Sequence, residues 1–272
     1  MCSRQLTVVP EIPGWDSWLT ALERRHLADL RMSEVARALR ALSSTYVERR
    51  GQARGRALDG AGKRAAFALF YAPIHFMLVH AIVAQLGPAE HATEVIDLGC
   101  GTGVAGAAWA LSSERPARIA GIDVHPWTLA EARWTYRILG LRGVARRGDL
   151  ARVRLPAQGD AIIAAYTLNE LAEPVRSRLL HDLVRAAERD VRVLIVEPIS
   201  TAAVPWWPEW REAFQRIGGR ADEWRFRIPL PDLVKRLDQA AALHHDELTG
   251  RSLYCASKSG RGPVRTDTIA LG

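Results

Sequence analysis

The stretch EVIDLGCGTGVAGAAWAL, Glu94 to Leu111, constrains this chain more than any other. An apolar run ends in a carboxylate, glycines follow at alternate positions, and an alanine-rich apolar segment comes next. That order reads as strand, tight turn and helix, with a backbone bare enough for a ligand to approach it. Two ligands compete for it. Gly101-Thr-Gly103-Val-Ala-Gly106 fits the G-x-G-x-x-G of a dinucleotide-binding turn, where N–H groups at a helix N-terminus cradle a pyrophosphate. Asp97-Leu-Gly99-Cys-Gly101-Thr-Gly103 is an acidic strand end followed by alternating glycines, a pattern suited to a different cofactor. The glycines alone do not separate the two.

From Thr93 onward, short apolar runs alternate with helical patterns, as in a parallel sheet with crossover helices. TEVIDLG, ARIAGIDVH, VARRGDL, DAIIAAYTLNEL and VRVLIVEPI read as five strands. PWTLAEARWTYRILG and EPVRSRLLHDLVRAAER read as helices between them, Pro126 suiting a helix start. After a tryptophan-rich connection, LPDLVKRLDQAAAL reads as a late helix. LHHDELTGRSLYCASK reads as two short strands turning at Thr249-Gly250. The fold expected is α/β, a doubly wound, mostly parallel seven-stranded sheet ending in a β-hairpin.

Upstream, WDSWLTALERRHLADL and MSEVARALRALSSTYVERR carry apolar residues at three- and four-residue intervals, with Ser33 placed to cap the second helix. GQARGRALDGAGKR breaks the pattern with four glycines and several charges and reads as a basic connector. The organisation expected is a helical extension over 1–63, a main domain over 64–258 and a flexible tail over 259–272. Residues 65–90 carry no formal charge before Glu90, a length able to span a bilayer. Pro73, His75, His80 and Gln85 along it favour a buried helix that Pro73 divides into a short and a longer part. No membrane partner is expected.

The 37 basic against 30 acidic residues give a net charge of +7, which draws a protein toward phosphate-rich partners. Only three lysines occur, so the excess is arginine, and coding composition explains such a bias as readily as function does. Arg24, Arg25, Arg49, Arg50, Arg54 and Arg56 cluster early, and Arg142, Arg146 and Arg147 later. The three cysteines, Cys2, Cys100 and Cys255, lack C-x-x-C spacing, which points away from a metal site or disulfide framework and toward a reducing, cytoplasmic setting. The N-terminus shows no secretory pattern.

With the strand order and the terminal hairpin, Asp97-Leu-Gly-Cys-Gly-Thr-Gly resembles the class I S-adenosylmethionine-dependent methyltransferases over roughly Thr93 to Lys258. The resemblance implies S-adenosyl-L-methionine as cofactor, its methionine part lying over Gly99, Gly101 and Gly103. On that reading a side chain at any of the three would push the ligand away. Asp97 orients the loop, meets the cofactor's ammonium group, or merely caps local N–H groups. Asp123, ending the second strand, can take both ribose hydroxyls, a geometry that serves a dinucleotide equally. Asp149 matches the place where many of these enzymes hold the adenine amino group, surface solvation being the plain alternative. At the fourth strand's end, Tyr166 is expected to line the cofactor pocket, with Asn169 and Glu170 either touching the acceptor or opening the next helix. The Asn/Asp-Pro-Pro-aromatic motif of many base amino-methyltransferases is missing.

LRALSSTYVERR, KRAAFALFYAPIHFMLVHAIVAQL, the glycine motif, AAYTLNEL and VLIVEPI also occur in the order seen in methyltransferase-like proteins associated with the small ribosomal subunit. That likeness implies rRNA or a ribosome-associated substrate, reached through the basic N-terminal region. The family's cysteine cluster has no counterpart in STAAVPWWPEWREAFQRIGGRADEWRFRIPLP, so no iron–sulfur or zinc site is carried over. The tryptophans there can stack single-stranded nucleic acid, pack a core edge or form a lid. Trp206 and Trp207, stiffened by Pro205 and Pro208, are expected to cover the acceptor. Three readings stay open: a methyltransferase acting on RNA, a non-catalytic assembly factor keeping the fold, and a small-molecule methyltransferase. No catalytic base is legible.

Overall fold

The computed structural model describes residues 12–48, 58–87, 92–155 and 160–256. Helices α1 (Trp15–His26) and α2 (Met32–Glu48) lead into α3 (Ala61–Ala66), a π-helical turn (Phe67–Tyr71) and α4 (Ala72–Leu86). The alternating part follows as β1 (Glu94–Leu98), α5 (Val104–Ala110), β2 (Arg118–Asp123), α6 (Pro126–Ile138), β3 (Gly143–Arg147), β4 (Ala161–Ala165), α7 (Glu173–Glu188) and β5 (Arg192–Glu197). It closes with α8 (Trp207–Arg216), β6 (Arg220–Phe226), α9 (Asp232–Ala241) and β7 (Leu248–Cys255). The seven strands run in the order β3-β2-β1-β4-β5-β7-β6, all parallel except β7, which is antiparallel to both its neighbours. The winding reverses between β1 and β4, and a crevice at the carboxyl ends of strands forms at such a point.

The five parallel strands stand where their apolar runs placed them. The antiparallel pair that ends the sheet is present, but its turn is not at Thr249-Gly250. Both residues lie inside β7, whose partner β6 comes from the tryptophan-rich segment, with α9 carried in the connection. Trp224 and Phe226 are buried on alternate positions of β6, a period-two signal masked by Arg225 between them. Ser33 is the second residue of α2 rather than its cap; Glu34 reaches back to accept the Arg31 N–H at 2.8 Å.

Residues 61–86 form one continuous helix, the only one among the described residues long and apolar enough to cross a membrane, and 83% of its most apolar window is buried inside the fold. Pro73 does not break it. The wider π turn just upstream accommodates the ring and the missing N–H, so the axis continues. Trp18 and Leu22 of α1 and Val35, Leu39 and Leu42 of α2 join the same buried cluster as α4 and α5, so the N-terminal helices share the main core. The connector arginines Arg49, Arg50, Arg54 and Arg56 and the tail 259–272 lie outside the described residues.

Candidate functional site

The glycine loop leaves β1 and enters α5 with Gly99, Gly101 and Gly103 at φ of 69°, 52° and 81°, a region in which other residues are strained. The three are required for different reasons. A Cβ on Gly99 would stand 2.3 Å from Thr167, and one on Gly103 2.6 Å from Tyr136. Their bareness serves the protein's own packing. Only at Gly101 would a Cβ meet nothing within 4 Å, so this backbone alone faces open space. Beside it, the buried Thr102 hydroxyl has no hydrogen-bond partner among the described residues.

Two carboxylates fix the loop from opposite sides. Asp97 is 1% exposed and accepts the Gly106 N–H at 2.8 Å, satisfying a first-turn donor of α5 from beneath. Burial pushes its carboxyl up to about 7, and the neighbouring Asp123 charge adds to the rise against the Gly106 hydrogen bond. Of the roles read for Asp97, capping a local backbone N–H is the one its hydrogen bond shows. Asp123 accepts the Gly101 N–H at 2.9 Å on one oxygen and the His125 N–H at 2.9 Å on the other. Each oxygen keeps a lone pair, and the half-buried carboxylate ends β2 beside the open Gly101 backbone.

The remaining candidates separate. Asp149 is exposed and accepts the Ala151 N–H at 2.9 Å, closing its own turn, while Gly148 donates to the Asp123 carbonyl at 3.0 Å and draws that turn toward the crevice. Tyr166 directly follows β4 at φ 57°, an uncommon position for a bulky residue and one found more often at functional sites. Its ring stacks on His75 with centroids 3.9 Å apart and planes 15° apart. Thr167 then donates to the Gly99 carbonyl at 3.0 Å and ties β4 to the loop. Glu170 is exposed.

Asn169 is held from both ends: its amide donates to Glu197 at 3.4 Å and its carbonyl accepts the Trp206 indole N–H at 2.8 Å. Trp206 and Trp207 are 7% and 6% exposed and belong to the core cluster on the α7 face of the sheet. The expected lid is therefore corrected, because both indoles are packed, and so are Trp210 and Trp224. Two charges escaped notice in the sequence. Glu197 ends β5 fully buried and accepts the Leu168 N–H at 3.1 Å; burial pushes it up to about 8. Its register partner on β7 is the buried Arg251, whose guanidinium lies over Trp207 at 5.2 Å. A carboxylate ending an apolar run, as at Asp97 and Asp123, was the available signal for Glu197.

The family model of a methyltransferase domain matches residues 95–190, which hold the glycine loop, Asp123, Asp149, Tyr166 and Asn169. No curated protein matches the chain. Among solved structures, an S-adenosylmethionine-dependent methyltransferase from Aquifex aeolicus is similar at 18% identity and a TM-score of 0.44, covering 67% of this chain and 91% of its own. Mitomycin 7-O-methyltransferase shares 15% identity at a TM-score of 0.47, over 90% of this chain and 68% of its own. Magnesium protoporphyrin IX methyltransferase from Synechocystis shares 16% at 0.42, over 66% and 83%. Likenesses this distant say nothing of the acceptor. The matched stretch, 95–190, runs from β1 through α7 and leaves the N-terminal helices and the strands β5 to β7 outside it.

Proposed function

We propose that the chain is a catalytically competent methyltransferase whose acceptor is a small organic molecule. The observation that carries the reading is the pairing of Asp123 with Gly101. A carboxylate with free lone pairs stands beside the one loop backbone that faces open space, at the point where the winding of the sheet reverses. Asp123 would hold the ribose hydroxyls there, Gly101 and Thr102 would back the methionine part, and Asp97 keeps the loop in register from below. The bound cofactor supplies an electrophilic methyl group on a sulfonium. What the chain has to add is alignment of an acceptor lone pair with that methyl group, and proximity of this kind does most of the work in a displacement that needs few acid or base groups.

The buried state of Trp206, Trp207, Trp210 and Trp224 supports a small acceptor, since it removes the stacking platform that single-stranded RNA would use. An RNA acceptor, on rRNA or the small ribosomal subunit, keeps the support of Arg142, Arg146 and Arg147, all exposed at the edge strand β3. Labelled S-adenosylmethionine, incubated with the protein and either a small-metabolite extract or ribosomal RNA, tests the choice. Label in the metabolite fraction supports the proposal. Label in the RNA overturns the small acceptor, and label in neither fraction, with S-adenosylhomocysteine still bound, overturns catalysis.

A further inference from the structure

Five aromatic rings form a row, and four of them lie outside the residues read for the cofactor site. On the helix spanning 61–86, Phe67, Tyr71 and His75 follow one another at intervals of four, which keeps them on one face. Centroid distances run 6.5 Å from Trp127 to Phe67, 6.0 Å to Tyr71, 5.9 Å to His75 and 3.9 Å to Tyr166. Trp127 follows β2 just beyond Asp123, and Tyr166 directly follows β4. The strands β2 and β4 flank β1, so the row runs from the β2 side of β1 to its β4 side.

Exposure distinguishes these rings from their neighbours. Phe70 and Phe76 of the same helix are fully buried, whereas all five members of the row are residues of intermediate exposure. A purely structural aromatic row would have no reason to stop short of burial at every member. The π turn lies within the row and shifts the helical phase between Phe67 and His75, and such turns concentrate at functional sites.

The row is also electrically quiet. Burial lowers the His75 imidazole to about 3 and raises the Tyr166 hydroxyl well above its ordinary range, and the nearby Glu197 raises it further, so both rings stay neutral. Tyr71 is pushed up to about 12 by burial, with its hydroxyl hydrogen-bonded to Ser43 of α2. A cation stands at one end, where the Arg64 guanidinium lies 5.8 Å over Trp127 and gives its Nε–H to the Leu58 carbonyl at 3.0 Å, and Glu197 stands near Tyr166 at the other. A surface of neutral ring faces with no carboxylate in it recognises a flat, uncharged π-system.

We propose that this row is the acceptor wall, and that the acceptor is a planar, uncharged aromatic small molecule seated against His75 and Tyr166 with its reacting atom toward Gly101. This rests on the methyltransferase reading and deepens it. The test uses the full-length protein with S-adenosylhomocysteine present, titrated with 2-naphthol and with its saturated analogue 2-decalol. The expected result is naphthol binding roughly tenfold tighter than decalol, the scale of a good aromatic stack. His75→Leu should lose that preference while His75→Phe keeps it, with the thermal midpoint of each variant showing that it is folded.

Equal binding of naphthol and decalol, or no binding of either with S-adenosylhomocysteine bound, overturns the wall and leaves the methyltransferase reading intact. Failure to bind S-adenosylhomocysteine at all would instead count against the cofactor site. A folded His75→Leu variant that retains the full preference overturns the assignment to this row. Tighter binding of a uridine or adenosine oligonucleotide than of naphthol, abolished by His75→Leu, would assign the wall to a base in RNA and overturn the small acceptor.

Discussion

Asp97 and Gly106 meet across the first turn of α5: the carboxylate accepts the Gly106 N–H at 2.8 Å, and a Cβ on Gly106 would stand 2.8 Å from the same oxygen. The third glycine of the apparent dinucleotide fingerprint is thus explained by a carboxylate beneath it. Gly106→Ala should cost about 1–3 kcal/mol through overpacking. Asp97→Ala should cost a similar amount, about 1–3 kcal/mol, by stranding a buried donor. Urea unfolding measures both, and a neutral Gly106→Ala would mean that the loop relaxes more freely than its contacts allow.

The parallel half of the fold and the loop were legible because each depends on local pattern: an apolar run, a carboxylate at its end, glycines at fixed intervals. What escaped depends on tertiary contact. That Gly99 and Gly103 are emptied by Thr167 and Tyr136 is invisible without the packing. The partner strand β6 was hidden because its alternation runs through Arg225, and the tryptophans read as a lid because burial is not written in residue type. Phe67, Tyr71 and His75 stood at visible helical spacing, but a π turn and a stack on Tyr166 give that spacing its meaning.

Trp206→Ala should remove a packed indole and leave the Asn169 carbonyl without its donor. We expect a loss of about 3–5 kcal/mol in unfolding free energy, the usual range for an indole truncated in a core. A lid residue would instead leave the thermal midpoint unchanged and affect turnover alone.

Glu197 is held near 8 in the folded chain against 4.5 for an ordinary glutamate. Above its unfolded value the denatured chain has lost the proton that the native chain keeps. Its contribution is therefore fully present at acid pH and lost as pH rises from about 4.5 through about 8. Glu197→Gln should flatten this part of the stability profile, measured as thermal midpoint against pH. An unchanged slope would show that Glu197 titrates near its ordinary value.

Glu131 of α6 behaves in the opposite way. It is 3% exposed and is met by Arg25 at 2.8 Å and His26 at 3.2 Å from α1. Against the upward pull of burial, these two partners hold it below its ordinary value, so its stabilisation is present near neutrality and fades as pH falls through the carboxylate range. Removing residues 1–56 strands this buried charge and opens the core at Trp18 and Leu22, so the truncated chain should lose thermal stability at neutral pH. An unchanged midpoint would show that the helical extension is separable after all.

The central claim is that the Gly101 backbone and Asp123 hold S-adenosylmethionine. Calorimetric titration of the full-length protein with S-adenosylhomocysteine and with NAD tests it most directly. The account predicts saturable binding of the sulfur ligand and none of NAD, with Gly101→Val and Asp123→Ala each folded and each weakening the affinity by roughly tenfold or more, the scale of one lost charge-assisted contact. Binding of NAD with no response to S-adenosylhomocysteine, or full affinity in a folded Gly101→Val variant, would contradict it.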